Sequence, residues 1–200
     1  LTDDPSCKLC GKPANLEHVL SSCKIALSDG RYTWRHDQVL KAIAEKVDTA
    51  RRQSRPVKNK MTFIGFEKAG EKKGGVKKQS QGLLGTASDW QMEADIHGRL
   101  KFPEDVAVTN SRPDLVLWSV GTKQVVMLEL TVPWEERMEE AHQRKLCKYQ
   151  ELVDDCKSNG WKTWCLPVEV GCRGFAAQAL WQALRLLGIT GMARKKLIGL

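Results

Sequence analysis

The sequence predicts an α/β fold in which helices cover a mixed sheet, preceded by a small Cys/His-rich segment and a helix. Three observations carry that prediction. Between residues 88 and 187, stretches with helical spacing alternate with short apolar runs of strand character. Residues 124–132 are apolar almost without interruption, as suits a strand buried on both faces. The 200 residues, 42% apolar and 28% charged, provide for one domain with a small appendage and exclude wholesale disorder, collagen and coiled coils. No apolar run reaches the ~18–20 residues that span a bilayer, so no membrane partner is expected. The opening Leu1-Thr2-Asp3-Asp4 has neither an initiator Met nor a signal pattern, and the chain reads as a piece of something longer.

Residues 1–50 form the first unit. They open with Cys7-x2-Cys10-x7-His18-x4-Cys23. A C-x2-C turn brings two thiolates to one ion, and Gly11 and Pro13 supply the reversal that follows. Residues 16–20 read as a short helix presenting His18, and Cys23 closes a four-ligand site. With all four positions filled by protein, a structural Zn2+ is expected. Residues 32–44 then take the helical period, with Val39, Leu40, Ile43 and Val47 as the stripe and Thr33 as N-cap. His36 on this helix suits a packing or capping role as well as a functional one. The other four cysteines, Cys147, Cys156, Cys165 and Cys172, read as small core residues. Seven cysteines without a signal peptide point to a reducing compartment.

Residues 51–87 read as a linker. The net charge is +8, and residues 51–78 account for all of it, with ten basic residues against Glu67 and Glu71. Arg51, Arg52, Arg55, Lys58, Lys60, Lys72, Lys73, Lys77 and Lys78 are the candidates for contacting nucleic-acid phosphates. A solvated surface loop is the plainer reading of the same composition.

Residues 88–200 form the second unit. Ser88 starts a helical pattern through Trp90, Ala94, Ile96, His97 and Leu100 that stops before Pro103. Three strands are expected over 105–109, 114–120 and 124–132, the last two joined by a Gly121-Thr122 turn. Pro133 closes the third and opens a long helix over about 134–158, which Asn159-Gly160 stops. A fourth strand covers 161–170, and a last helix runs to about Leu187.

Two acids stand out in this unit. Across the Gly121-Thr122 hairpin, Asp114 and Glu129 pair near one end of the sheet. Glu129 interrupts an apolar strand, and a buried carboxylate needs a positive partner. A divalent cation held by two carboxylates and a main-chain carbonyl is one such partner; a salt bridge to Arg112 or a helix lysine is the other. On the long helix, Met138, Ala141, Leu146, Tyr149, Leu152, Val153 and Cys156 share one face, and Lys145 projects into its middle with Lys148 near its edge. A lysine there either snorkels or pairs with acid. Two carboxylates with a lysine aimed at them suit phosphodiester cleavage.

Arg112-Pro113-Asp114 followed by Glu129-Leu130-Thr131 resembles the PD-(D/E)xK nuclease signature with its αβββαβ restriction-endonuclease-like core. Thr131 stands where many members carry lysine. In the restriction-like endonuclease domains of non-LTR retrotransposons the following helix supplies the lysine in a K-x3-Y pattern, which Lys145–Tyr149 resembles. The Cys-Cys-His-Cys knuckle is also similar to the one upstream of those domains. The resemblance implies that Asp114, Glu129 and the Leu130 carbonyl hold Mg2+ or Mn2+, that Lys145 is the catalytic lysine supported by Tyr149, and that an acid on the helix before the first strand, Asp95 or Glu93, assists. Lys148 is the rival lysine and, with Arg112, a nucleic-acid contact.

The function so implied is a metal-dependent DNA endonuclease in the nucleus. It is part of a longer chain with a reverse transcriptase, and it nicks target DNA to prime reverse transcription, with element RNA as a further partner. A binding module that has lost cleavage is the alternative.

Overall fold

The computed structural model describes residues 5–54 and 82–190. Two helices lead the chain, α1 (Lys24–Ser28) and α2 (Arg31–Gln53), followed by strands β1 (Gln91–Ala94), β2 (Leu115–Ser119) and β3 (Gln124–Thr131). Helix α3 (Met138–Ser158), strand β4 (Lys162–Glu169) and helix α4 (Gln178–Leu187) complete it. The four strands form one mixed sheet in the order β1-β2-β3-β4. The two hairpin-side pairings are antiparallel, and β3–β4 is parallel because α3 carries the chain back across the sheet.

Side-chain alternation along the strands splits the core in two. Leu115, Leu117, Val126, Leu128 and Leu130 face α2 and α4 and pack against Leu40, Ile43, Val47, Leu180, Leu184 and Leu187. Val116, Trp118, Val125 and Met127 face α3 and pack against Tyr149, Leu152, Val153 and Cys156. Helix α2, which the sequence groups with the knuckle, thus shares its apolar stripe with the sheet. It starts after Gly30, whose φ of +73° suits a residue without Cβ, and not after Thr33 as the sequence suggests.

Two expected elements are corrected. The helix predicted from Ser88 is instead strand β1, and the strand predicted over 105–109 is a turn. Trp90, Ala94, Ile96 and Leu100 fit a helical period, but Gln91–Ala94 pairs with β2 and alternates in burial. His97 and Gly98 at positive φ then end any continuous helix. Past Pro103, the N–H groups of Val106 and Ala107 both donate to the Pro103 carbonyl, at 3.0 and 3.2 Å. That turn plugs Val106 and Ala107 into the α3-side core and leaves Val108 90% exposed. Of the four scattered cysteines, Cys156 and Cys172 are buried, Cys165 is half-buried, and Cys147 is exposed on α3.

The remaining elements lie close to expectation. Helix α3 begins later than predicted, after a 3₁₀ turn at Glu135–Arg137, and Gly160 at φ +80° turns the chain beyond its end. Among the described residues no helix is long and apolar enough to cross a membrane.

Candidate functional site

The hairpin register places Leu115 opposite Leu128, so Asp114 and Glu129 meet at the next step. There the Asp114 N–H donates to Glu129 Oε2 at 3.1 Å, and the Leu130 N–H donates to Asp114 Oδ2 at 2.6 Å. These bonds lock the Glu129 carboxylate to the Asp114 backbone and the Asp114 carboxylate to the Leu130 backbone. Glu129 is 2% exposed. Its other oxygen receives the Lys145 ammonium from α3, and the Lys148 ammonium stands 3.5 Å away. Strand alternation puts Glu129 on the α3 face, and the i, i+3, i+4 spacing of Lys145, Lys148 and Tyr149 puts all three above it.

Tyr149 is fully buried, and its hydroxyl donates to the Arg112 carbonyl at 2.9 Å while accepting from Lys148 at 2.8 Å. Burial pushes the Tyr149 phenol well above its ordinary range, and the Glu129 charge pushes it further. Behind the site, Cys165 on β4 is pushed up to about 11 by burial and by Glu129. The structure therefore brings Asp114, Glu129, Leu130, Lys145, Lys148 and Tyr149 together.

Other candidates sit differently. Asp95 follows β1, and its carboxylate accepts the Leu100 N–H at 2.8 Å, closing the 95–100 loop. Glu93 is exposed on β1. The Arg112 side chain donates to the Gly98 carbonyl and not to Glu129. A cleft of about 680 Å³ opens alongside, lined by Asp95, Arg112 and Lys148 with Glu151 and Asp155. Arg51 and Arg52 both engage Asp48 at the end of α2, and Arg51 also donates to the Trp90 carbonyl. Arg55, Lys58, Lys60, Lys72, Lys73, Lys77 and Lys78 lie outside the described residues.

The sequence left the role of His36 open, and it gave none to Asp37. His36 Nε2 lies 3.4 Å from both Asp114 Oδ2 and the Leu130 carbonyl oxygen, and its Nδ1 is 3.3 Å from Asp37 Oδ1. His97 approaches Asp37 from the other side at 3.7 Å. Burial opposes the charged imidazole, but the Asp114 and Asp37 carboxylates outweigh it and raise His36 to about 9. The available signal was an adjacent His-Asp pair on a helix that is otherwise amphipathic.

The second cluster is the knuckle. Cys7 N–H donates to the Lys12 carbonyl and Gly11 N–H to the Cys7 carbonyl, with Gly11 at φ +71°, which folds the C-x2-C turn back on itself. A π-helical turn at His18–Ser22 presents His18. The ligand atoms of Cys7, Cys10, His18 and Cys23 all lie within 4.8 Å of one another, so the four can hold a zinc ion. Backbone N–H groups of Leu9 and Cys10 lower the Cys7 thiol to about 6, which favours the thiolate that zinc requires. Tyr32 secures the cluster to α2, accepting the Cys23 N–H at 3.0 Å. No known protein-family model matches the chain, and no curated protein matches it either.

Proposed function

We propose that this chain is a metal-dependent DNA endonuclease of the PD-(D/E)xK type, from the carboxy-terminal part of a non-LTR retroelement protein. It acts in the nucleus, where it nicks target DNA and leaves a 3′ hydroxyl for a reverse transcriptase in the same longer chain. The observation that carries this reading is Glu129, a buried carboxylate held between the Asp114 backbone and the Lys145 ammonium. An apolar strand holds no charge without a partner or a use, and this one faces a second carboxylate and a lysine together.

The element order α2, three strands, α3, β4 supports an αβββαβ core in which α2 takes the place of the first helix. On that reading Asp37, on the helix before β1, takes the place that the resemblance had given to Asp95 or Glu93. The donor set fits a hard divalent cation, since the Asp114 and Glu129 carboxylates and the Leu130 carbonyl are all oxygens. Bound Mg2+ or Mn2+ polarises the scissile phosphate and lowers the pKa of the attacking water. Lys145 offsets the negative charge that develops on the phosphate. Tyr149 holds Lys148 and the Arg112 carbonyl in place, and His36 steadies Asp114. Zinc in the knuckle serves folding and, with the basic linker, the hold on DNA or element RNA.

Incubating the chain with supercoiled plasmid and magnesium or manganese tests this, with Asp114→Ala as control. Nicking that requires the metal and vanishes in the control is the expected result. The second reading, a nucleic-acid-binding module without cleavage, is favoured by His36 and Lys145, which already neutralise the two carboxylates. On that reading plasmid binding falls steeply with salt, no nick forms, and Lys145→Ala changes little.

A further inference from the structure

A second cleft, of about 250 Å³, lies where the knuckle, α2, the end of β3 and the start of α3 meet. Tyr32, Arg35, Thr131, Trp134, Arg137 and Arg144 line it. Three arginines and Glu140 thus line one small cavity, and Glu17 pairs with one of those arginines, Arg137. Arg144 is exposed and makes no ion pair or hydrogen bond among the described residues. Arg137 reaches Glu17 at 2.7 Å, and Arg35 spends one nitrogen on the Leu20 carbonyl at 2.6 Å.

Only three buried side-chain polar atoms lack a partner among the described residues, and two of them, Arg35 Nε and Thr131 Oγ1, belong to this cleft. Both atoms can donate a hydrogen bond, and a buried donor without an acceptor is destabilising. An oxyanion is the ligand that accepts from several donors and meets the positive charges of Arg35 and Arg144 favourably. Both atoms are shielded from solvent, so an anion engages them only once the two side chains turn toward the cleft.

The place of the cleft identifies the anion. Thr131 is two residues beyond Glu129 on the same strand, so both side chains leave the same face of the sheet. Ala141, in the cleft wall, lies about one helical turn from Lys145. We propose that this cleft binds a backbone phosphate of the nucleic-acid strand that presents its neighbouring phosphodiester to Glu129 and Lys145. The proposal rests on the reading that the chain engages nucleic acid at the carboxylate site. It also gives the knuckle a further part, since Tyr32 and Arg35 join the knuckle to the cleft.

The test uses the full chain, a fluorescein-labelled DNA duplex, and magnesium-free buffer, with affinity followed by anisotropy across a salt series. Arg144→Gln is expected to weaken binding about three- to tenfold and to flatten the slope of log affinity against log salt by ~0.9, the loss of one phosphate contact. Thr131→Val, which keeps the shape and removes the hydroxyl, is expected to weaken binding about two- to fivefold with the slope kept. Unchanged affinity and slope in Arg144→Gln overturn the proposal while leaving the nuclease reading intact. Inorganic phosphate that raises the melting temperature of the parent but not of Arg144→Gln, together with unaltered DNA binding, marks a free-phosphate site and also overturns it. Normal nicking by Asp114→Ala overturns the nuclease reading alone, and absence of any DNA binding overturns both.

Discussion

Glu129 carries a full charge into an apolar strand, and everything around it answers that charge. Lys145, with its side chain 21% exposed, meets one oxygen, and the Asp114 N–H meets the other. Removing the ammonium leaves a buried carboxylate half-compensated, which ordinarily costs about 3–5 kcal/mol. Lys148 at 3.5 Å reduces that loss. Lys145→Met is therefore expected to lower stability by about 2 kcal/mol in urea titration at neutral pH, and to cut nicking by at least about 100-fold with DNA binding retained.

His36 makes a separate prediction at the same scale. Its folded pKa of about 9 lies above the ordinary 6.5, so the charged imidazole stabilises the fold fully below about 6.5. That contribution is lost as the pH rises through about 9. In magnesium-free buffer the melting temperature is expected to fall between those values, and His36→Gln is expected to flatten the fall.

Among the elements, α2 has the largest consequence. Leu40, Ile43 and Val47 are almost wholly buried against the sheet, so the helix that presents His36 and Asp37 is anchored by the same core that positions Asp114 and Glu129. Ile43→Ala is expected to cost about 2–4 kcal/mol in denaturant unfolding, with both a lost transfer energy and a cavity. Helix α3 ties the opposite face to the site through Tyr149. Tyr149→Phe keeps the ring in the core but removes the bond to the Arg112 carbonyl, and a loss of about 1 kcal/mol is expected. The helical period showed which residues of α3 face inward, because a single face of a long helix is buried. Strand β1 was not legible in the same way. Its four residues satisfy a helical spacing equally well, and only pairing with β2 selects the extended form.

For the molecule as a whole, the knuckle and the α/β layers are differently sustained. Among the described residues the knuckle's apolar cluster buries only Cys7, Cys23 and Ala26, with Cys10 and Tyr32 against them, too little to hold a fold without a metal. Chelation of zinc, or Cys7→Ser, is expected to remove hydrogen-exchange protection from residues 5–30 and to leave the sheet, α3 and α4 protected. About one zinc per chain in elemental analysis is the companion expectation.

The sequence by itself determined the elements whose causes are local or periodic. The Cys/His spacing, the hairpin at Gly121-Thr122, the proline and glycine ends of α3, and the one-sided placement of Lys145 follow from turn chemistry and from a fixed rise per residue. The same rules put Asp114 opposite Glu129, because a two-residue side-chain period and a known turn set the register. Tertiary structure alone decided the contacts between segments far apart in the chain. His36 meets Asp114 across 78 positions, α2 packs on the sheet as well as on the knuckle, and Arg35 gathers with Thr131, Arg137 and Arg144 around one cleft. No local period encodes such meetings; they arise when two apolar faces bury each other and carry their polar neighbours along.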